Sequence, residues 1–108
     1  FNGASAYHVV YGENEEGKGQ IIFYPLEGEE KTLTIVDVAD IVPEQAMISK
    51  WKQDCSGCDL VKITPALMDN EVLWEIVYYD ENDRYVFEYR SIYDGAHYQE
   101  IRYLRQFY

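Results

Sequence analysis

Alternation of apolar and polar positions predicts three short strands in the first forty residues. Each run has the two-residue period of a half-buried strand or is rich in β-branched side chains. The three runs are residues 6–12, 20–26 and 32–38. Gly17 and Gly19 lie between the first two runs and can supply positive backbone φ angles. We therefore expect these two strands to pair as a hairpin, with Pro25 at the end or edge of the second strand.

One amphipathic helix is predicted over residues 43–54. Pro43 suits the first helical position, because the amide hydrogen that it lacks would have no acceptor inside the helix. Gly57 follows as a stop signal. Apolar residues recur on one face at helical spacing, which makes Trp51 the main anchor of the helix. That face carries Met47, Ile48, Trp51 and Cys55.

Three or four further strands are predicted after the helix. They are residues 60–68, 71–79, 84–92 and 97–104. A helix followed by an antiparallel meander predicts an α+β fold, in which the helix packs on one face of the sheet. The other face is then free for water or a partner. We expect the helix and the sheet to share one core cluster, anchored by Met47, Trp51, Trp74 and Ile76.

The charge balance excludes some classes of partner. The chain has 108 residues and a formal net charge of -11, with twenty acidic and nine basic side chains. Nucleic acids and anionic membrane surfaces are bound through basic residues, so this balance argues against both. The sequence contains no apolar run long enough to span a bilayer. It begins at Phe1 without a methionine or a signal pattern, which is typical of a mature or truncated fragment.

Cys55 and Cys58 form a Cys-x-x-Cys spacing after the predicted helix. A redox-active pair would precede a helix, because the N-terminal end of the dipole lowers the thiol pKa. A zinc site would need two more ligands, and His8 and His97 lie far away in sequence. We therefore favour a local disulfide or two plain thiols over redox chemistry or metal binding. In an exported protein the disulfide is favoured.

Catalytic signatures are weak. Neither histidine has an orienting motif, and the serines lie outside a nucleophile elbow or a Ser-x-x-Lys box. No glycine-rich phosphate loop precedes the helix. The acidic run over residues 80–83 lacks the glycine and the distant glutamate of a calcium loop, so it predicts a solvated turn. We expect no catalytic residues, no cofactor and no bound metal.

Eight of the eleven tyrosines lie at or after position 78. Tyrosine combines an apolar ring with a polar hydroxyl and is enriched at protein interfaces. Either these rings cover the helix-facing side of the sheet with their hydroxyls toward water, or some of them form a recognition surface. The candidate surface residues are Tyr85, Phe87, Tyr89 and Tyr98.

Two stretches of the chain carry a family resemblance. The run 72–78 is followed by Asp80, Tyr85, Tyr89 and Asp94-Gly95, and upstream Phe1-Asn2-Gly3 precedes the runs 7–12, 21–26 and 41–44. Over nearly its whole length this pattern resembles the YpmB/TseB-like family of cell-wall elongation regulators. The latter half is also similar to PepSY-type domains.

The resemblance implies two small cystatin-like domains on the extracellular side of the cell membrane, behind an N-terminal anchor, and a class B penicillin-binding protein as partner. It divides the chain into residues 1–38, the strands of a first domain whose helix is missing, and residues 39–108, a second cystatin-like domain. The anchor is not in this sequence, and Asp83 stands where the family often has a turn glycine. The resemblance carries over no catalytic residues.

The leading hypothesis is therefore a non-enzymatic, membrane-anchored regulator of cell-wall elongation that binds a penicillin-binding protein through its sheet surfaces. One alternative is a peptidase inhibitor of PepSY or cystatin type, which would use a hairpin loop at 13–19 or 80–83. Another is a small-ligand-binding domain whose helix and sheet enclose a deep polar pocket. Trp51 and Trp74 filling that space would exclude the enclosed pocket.

Overall fold

The computed structural model describes residues 7–26 and 33–103, and these form an α+β fold with two antiparallel sheets. Along the sequence, one helix lies between the strands of the first sheet and those of the second. In chain order the elements are β1 Tyr7–Glu13, β2 Gly19–Pro25, β3 Thr34–Asp37, a 3₁₀ turn Val38–Asp40, α1 Glu44–Asp54, β4 Asp59–Met68, β5 Glu71–Tyr79, β6 Tyr85–Ser91 and β7 His97–Tyr103.

The elements lie where the hydrophobic pattern predicts them, with bounds that differ by one or two residues. Positions 6, 32 and 104, at the ends of predicted strands, lie outside the described residues. Pro43 is not the first helical residue, as predicted, but the cap before it, with φ −60° and ψ 152°. Its fixed φ suits this extended position equally well, and its carbonyl accepts the first helical hydrogen bond, from Met47 N at 2.9 Å.

The strands of each sheet follow one another in simple order, β1-β2-β3 in one sheet and β4-β5-β6-β7 in the other. The first hairpin pairs Val9 with Phe23, and β5 pairs with β6 from Leu73 opposite Ser91 to Tyr79 opposite Tyr85. Directly opposite residues of an antiparallel pair point to the same face. The register therefore decides which side chains of β5, β6 and β7 share a face.

The core holds the four predicted anchors. Met47, Trp51, Trp74 and Ile76 are buried in one hydrophobic cluster. The Trp51 ring lies 5.1 Å from the ring of Tyr78, centroid to centroid, on the face of β5 that the helix covers. This placement follows from the helical period, because positions 47 and 51 are four residues apart and lie above one another on the helix.

The start of the helix is fastened to the sheet by Val42. Its N–H donates to the carbonyl of Ile92 at 2.7 Å, and its own carbonyl accepts a hydrogen bond from Trp74 Nε1 at 2.9 Å. A backbone segment that would otherwise lack partners is thereby paired from both sides. These bonds fix where α1 enters the sheet.

The face of the sheet that was expected to be free is partly covered. Leu73 and Val77, which point away from the helix, are buried, and Leu73 forms a second small cluster with Met68 and Tyr89. The reason is that large side chains of the neighbouring strands close over the middle of this face. Among the described residues, the margins of this face are the part that remains open to a partner.

The first three strands share the core of the rest of the chain. Ile21, Phe23 and Val36 are buried in the same cluster as Trp51 and Trp74. The division into a partial domain at 1–38 and a second domain at 39–108 stays a prediction. Among the described residues, however, the two sheets are not separated by a solvated gap at this cluster.

Replacement of Trp51 tests the assignment of the helix face. Trp51→Ala removes a buried ring and leaves a cavity, so we expect a loss of about 3–5 kcal/mol in the free energy of unfolding, measured by urea denaturation. Tyr93→Ala, at a tyrosine that is 52% exposed, is the matched control and should change the same quantity by less than about 0.5 kcal/mol. A loss below about 1 kcal/mol for Trp51→Ala would show that this face of α1 is wrongly assigned.

Candidate functional site

Four aromatic rings form a continuous strip on the face of the sheet opposite to the helix. We call this set, Tyr79, Tyr85, Phe87 and Tyr103, the aromatic strip. The centroids of Tyr79 and Tyr85 lie 5.1 Å apart, those of Tyr85 and Phe87 5.1 Å, and those of Phe87 and Tyr103 5.7 Å. Such tilted and edge-to-face contacts are the favoured geometry of aromatic pairs. The strip therefore presents a rigid surface.

The strand register brings the strip together. Tyr79 lies directly opposite Tyr85, and Tyr85 lies directly opposite Tyr103, so one row of three tyrosines crosses three strands. Tyr79 is 45% exposed and Tyr103 39% exposed, whereas Tyr85 and Phe87 are half-buried beneath their neighbours. The outer two rings are the ones that a partner would reach first.

The predicted surface needs two corrections. Tyr89 is fully buried, and its hydroxyl donates to Glu75 Oε2 at 2.7 Å, so it belongs to the second core cluster and not to the surface. Tyr98 is exposed, but it lies at the other end of the sheet, where its hydroxyl donates to Asp69 Oδ2 at 3.2 Å. The structure thus brings together only Tyr85 and Phe87 of the four predicted residues.

Sequence reasoning missed Tyr79 and Tyr103 as members of the surface. Alternation within β5 groups Trp74 with Tyr78, and it leaves Tyr79 without an assigned role. The missing information was the register across the turn at residues 80–83, which places Tyr79 opposite Tyr85. The signal in the sequence that would have suggested this pairing is the four-residue turn at 80–83, which begins with an aspartate.

The helix-facing side of the same sheet carries a network of buried charges. Arg90 donates from Nε to Glu88 Oε2 at 2.6 Å and from Nη2 to Asp54 Oδ2 at 2.9 Å. The other oxygen of Glu88 accepts the hydroxyl of Tyr78 at 2.8 Å. Glu88 and Arg90 alternate with Tyr85, Phe87 and Tyr89 along β6 and therefore lie on the opposite face of the sheet, which is the one that the helix covers. Their charges are buried for this reason and need these partners.

A second network of ion pairs lies next to the first on the same sheet. Asp80 Oδ2 accepts Arg84 Nε at 2.8 Å and Arg102 Nη1 at 2.7 Å, and Arg102 Nε donates to Glu100 Oε2 at 2.6 Å. Asp80 Oδ1 accepts the backbone N–H of both Asn82 and Arg84 at 2.9 Å. The turn at 80–83 is therefore not only solvated, as predicted, but tied to the sheet through a buried aspartate.

Both loops that the inhibitor hypothesis uses are held by such aspartate or asparagine side chains. Asn14 Oδ1 accepts the N–H of Glu16 at 2.9 Å and of Lys18 at 3.0 Å, which shapes the loop between β1 and β2. At 80–83, Asp83 adopts a positive φ of 60°, a conformation in which aspartate is tolerated better than most residues.

Cys55 and Cys58 are joined by a disulfide just after α1, with their Cα atoms 5.5 Å apart. Lys52 Nζ donates to the carbonyl of Cys58 at 2.6 Å, which fastens this small loop to the last turn of the helix. A Cβ on Gly57 would lie 2.6 Å from Glu81 Cγ, so the loop lies against the turn at 80–83. The end of α1 is thus fixed at its C-terminal side as well.

The described residues provide no metal centre, and the space between α1 and β5 is filled by side chains. In the ranges 7–26 and 33–103, no three His, Cys, Asp or Glu side chains come together as metal ligands. Trp51 and Trp74 fill the space between α1 and β5, which the small-ligand hypothesis needed to be hollow. No helix in the described ranges is long and apolar enough to cross a bilayer.

A solved structure with the same fold is the YpmB protein from Bacillus subtilis. The two chains superimpose with a TM-score of 0.79 at 22% sequence identity, over 94% of this chain and 79% of the other. No protein-family model and no curated protein sequence matches the chain. The likeness establishes a YpmB-like fold, because identity at this level supports conclusions about architecture alone.

Two buried tyrosines should resist ionisation. Burial is the largest cause that raises the pKa of Tyr78 and of Tyr89, and a hydrogen bond to a glutamate is the second. The glutamate is Glu88 for Tyr78 and Glu75 for Tyr89. Because the folded pKa lies above the unfolded value of about 10, the stabilisation is complete below that pH and is lost as pH rises through the folded pKa.

Alkaline absorbance titration measures this directly. At about pH 11, Tyr78→Phe or Tyr89→Phe should leave the tyrosinate absorbance of the folded chain unchanged, because the replaced tyrosine is not ionised there. After unfolding by guanidinium at the same pH, each variant should absorb less than the unchanged chain by about one tyrosinate. A drop of one tyrosinate for Tyr78→Phe in the folded chain would contradict the buried Tyr78–Glu88 hydrogen bond.

Asp80 should contribute to the acid sensitivity of the fold. Burial acts to raise the pKa of Asp80, but the N–H groups of Arg84 and Asn82 and the Arg84 guanidinium outweigh it and hold that pKa below its usual value. A lowered carboxylate pKa stabilises the fold above the unfolded value of about 3.9, and the stabilisation is lost as pH falls through the folded pKa.

The corresponding experiment compares Asp80→Asn with the unchanged chain in urea melts between about pH 6 and pH 3. The loss of unfolding free energy caused by Asp80→Asn should be largest near pH 6 and should shrink below about pH 4. Asp59→Asn, at an exposed position on β4, is the control and should change the unfolding free energy near pH 6 by less than about 0.5 kcal/mol. A loss from Asp80→Asn that is constant over this range would contradict the lowered pKa.

Proposed function

We propose that this chain is a non-enzymatic protein-binding module, a regulator of cell-wall elongation that binds a class B penicillin-binding protein through its aromatic strip. The single observation that supports this most is the strip itself. Tyr79 and Tyr103 expose large rings on a face that the helix does not cover, and their neighbours hold them rigidly. Rigid aromatic side chains lose little conformational entropy on binding and are enriched among interface hot spots.

The sequence composition supports binding rather than catalysis. The chain contains two histidines and no motif that would activate a serine or cysteine nucleophile. The two cysteines are joined to each other and supply no thiolate. On the helix-facing side of the sheet, the carboxylates Asp54, Asp80, Glu88 and Glu100 are each paired with an arginine, so within the described ranges none of these four is free to act as a general base.

The choice of partner comes from the family resemblance. The YpmB-like fold is consistent with the sequence pattern that resembles cell-wall elongation regulators, and the cystatin-like, extracellular, membrane-anchored arrangement belongs to the same proposal. The anchor would lie outside this sequence. With a net charge of -11, the chain would meet a partner surface that surrounds an apolar centre with basic side chains.

The test is the affinity of strip variants for the extracellular part of a class B penicillin-binding protein from the same organism, measured by biolayer interferometry. Tyr79→Ser combined with Tyr103→Ser should weaken binding by at least about tenfold, because two hot-spot rings are lost. Tyr24→Ser is the matched control, since Tyr24 is 40% exposed and lies on the other sheet. Its affinity should stay within about twofold of the unchanged chain.

Two outcomes would contradict the proposal. If the unchanged chain binds no class B penicillin-binding protein at micromolar concentrations, the proposed partner is wrong. If it binds one, but the double variant and Tyr24→Ser bind equally well, the partner contacts a surface other than the aromatic strip. Urea melts of both variants show whether they are folded, which excludes loss of binding through unfolding.

A further inference from the structure

An open groove of about 320 Å³ runs between the C-terminal end of α1 and strands β6 and β7. It lies on the helix-facing side of the sheet, opposite to the aromatic strip, and beside the space that Trp51 and Trp74 fill. Its volume suits a molecule of the size of an amino acid or a dipeptide. The lining residues with charged or hydrogen-bonding side chains are Trp51, Asp54, Tyr78, Glu88, Arg90, His97, Glu100 and Arg102.

The floor of the groove holds two glutamates that face each other. Glu88 of β6 lies directly opposite Glu100 of β7. Like charges in directly opposite positions destabilise an antiparallel pair. Arg90 reaches Glu88 from one side along the strands, and Arg102 reaches Glu100 from the other, each with an Nε···Oε2 distance of 2.6 Å. The two guanidinium groups therefore lean toward the same central row of the sheet.

Within the described ranges, each guanidinium keeps one terminal nitrogen without a partner. Arg90 uses Nε and Nη2, and Arg102 uses Nε and Nη1, so Arg90 Nη1 and Arg102 Nη2 make no hydrogen bond to the described residues. Trp51 Nε1 is the one buried side-chain polar atom in the described ranges without a partner. Arg90 Nη1 is therefore reached by solvent, and the groove is where Arg90 meets it.

A contribution to stability does not by itself explain the buried ion pair between Arg90 and Glu88. Arg90 and Glu88 are almost fully buried, and replacing such a pair by apolar side chains of similar volume is often neutral or stabilising. What the pair does achieve is to hold a guanidinium in one orientation, because Glu88 fixes one edge and Asp54 another. A guanidinium held in this way is organised in advance for a carboxylate.

The rim of the groove supplies the opposite charge. Asp54 uses only Oδ2, and its side chain is 59% exposed, so Oδ1 is open to a ligand. Three carboxylates and two guanidinium groups line the groove, counting Asp54, Glu88 and Glu100 against Arg90 and Arg102. A bare anion would meet a net negative site. A molecule that carries both a carboxylate and an ammonium group matches this alternation of charge.

We propose that the groove binds a small zwitterion, a free amino acid or dipeptide, with its carboxylate on Arg90 and Arg102 and its ammonium group at Asp54. Its apolar part lies against Trp51 and Tyr78. This site is separate from the aromatic strip, so it does not depend on the proposed penicillin-binding partner.

The experiment titrates the folded chain with the dipeptide alanyl-leucine and measures backbone amide chemical shifts by NMR. We expect saturable shifts at the C-terminal end of α1 and in β6 and β7. The N-acetylated dipeptide and the C-terminal amide should each bind at least about tenfold more weakly, because each lacks one of the two charges. Arg102→Gln should weaken binding of alanyl-leucine by at least about tenfold.

Arg84→Gln is the matched control. Arg84 and Arg102 have side chains that are 36% and 35% exposed and both pair with Asp80 Oδ2, but only Arg102 lines the groove. Arg84→Gln should therefore bind the dipeptide within about twofold of the unchanged chain. Both variants should remain folded, since neither arginine is buried.

Three outcomes would overturn the proposal. The first is the absence of any saturable shift with alanyl-leucine up to about 10 mM, which would mean that binding is weaker than about 3 kcal/mol. The second is binding of the N-acetylated dipeptide and of the C-terminal amide that equals binding of alanyl-leucine. The third is an equal loss of affinity for Arg84→Gln and Arg102→Gln. The double variant Tyr79→Ser with Tyr103→Ser should bind the dipeptide normally. This separates failure of the groove from failure of the aromatic strip.

Discussion

The burial of Trp51 against Tyr78 is the contact on which the rest of the structure depends. In the described part of the chain a single α-helix of eleven residues covers one face of a four-stranded sheet and shares its core with a three-stranded one. A helix of that length is marginal by itself, so its stability comes from packing. Val42 fastens its start and the Cys55–Cys58 loop its end, and Trp51 lies between these two points. These contacts hold the helix on the sheet at its start, in its middle and at its end.

The same constraint explains why charged residues lie in the interior. Trp51 of the helix packs on Tyr78 of β5, and beside this contact the open groove at the C-terminal end of α1 is lined by Glu88 and Arg90 of β6 and by Glu100 and Arg102 of β7. Apolar side chains there would be exposed, and unpaired charges there would be costly. Interlocked ion pairs satisfy both conditions. They also leave guanidinium nitrogens directed at an open groove, which is the basis of the proposed zwitterion site.

The elements could be predicted from the sequence because their periods are strong. In the run 71–79, Val72, Trp74, Ile76 and Tyr78 recur at every second position, and this run becomes β5. The spacing of Met47 and Trp51 identifies the buried face of α1. The aromatic strip could not be predicted equally well, since it depends on which residues of neighbouring strands lie opposite one another. Tyr89 and Tyr85 have the same parity along β6, yet Tyr89 lies in the middle of the face, where its neighbours bury it, and Tyr85 lies at the margin. The groove was invisible to sequence reasoning, because opposite pairs such as Glu88 and Glu100 are set by the turn between β6 and β7.

The central claim is that the helix holds one face of the sheet and leaves the opposite face, with its aromatic strip, to a protein partner. Hydrogen–deuterium exchange on the complex with the extracellular part of a class B penicillin-binding protein tests it most directly. The account predicts new protection at the end of β5, the start of β6 and the end of β7, where Tyr79, Tyr85 and Tyr103 lie side by side. It predicts no change in α1 or in the hairpin of β1 and β2. Protection confined to that hairpin, or to α1, would contradict it.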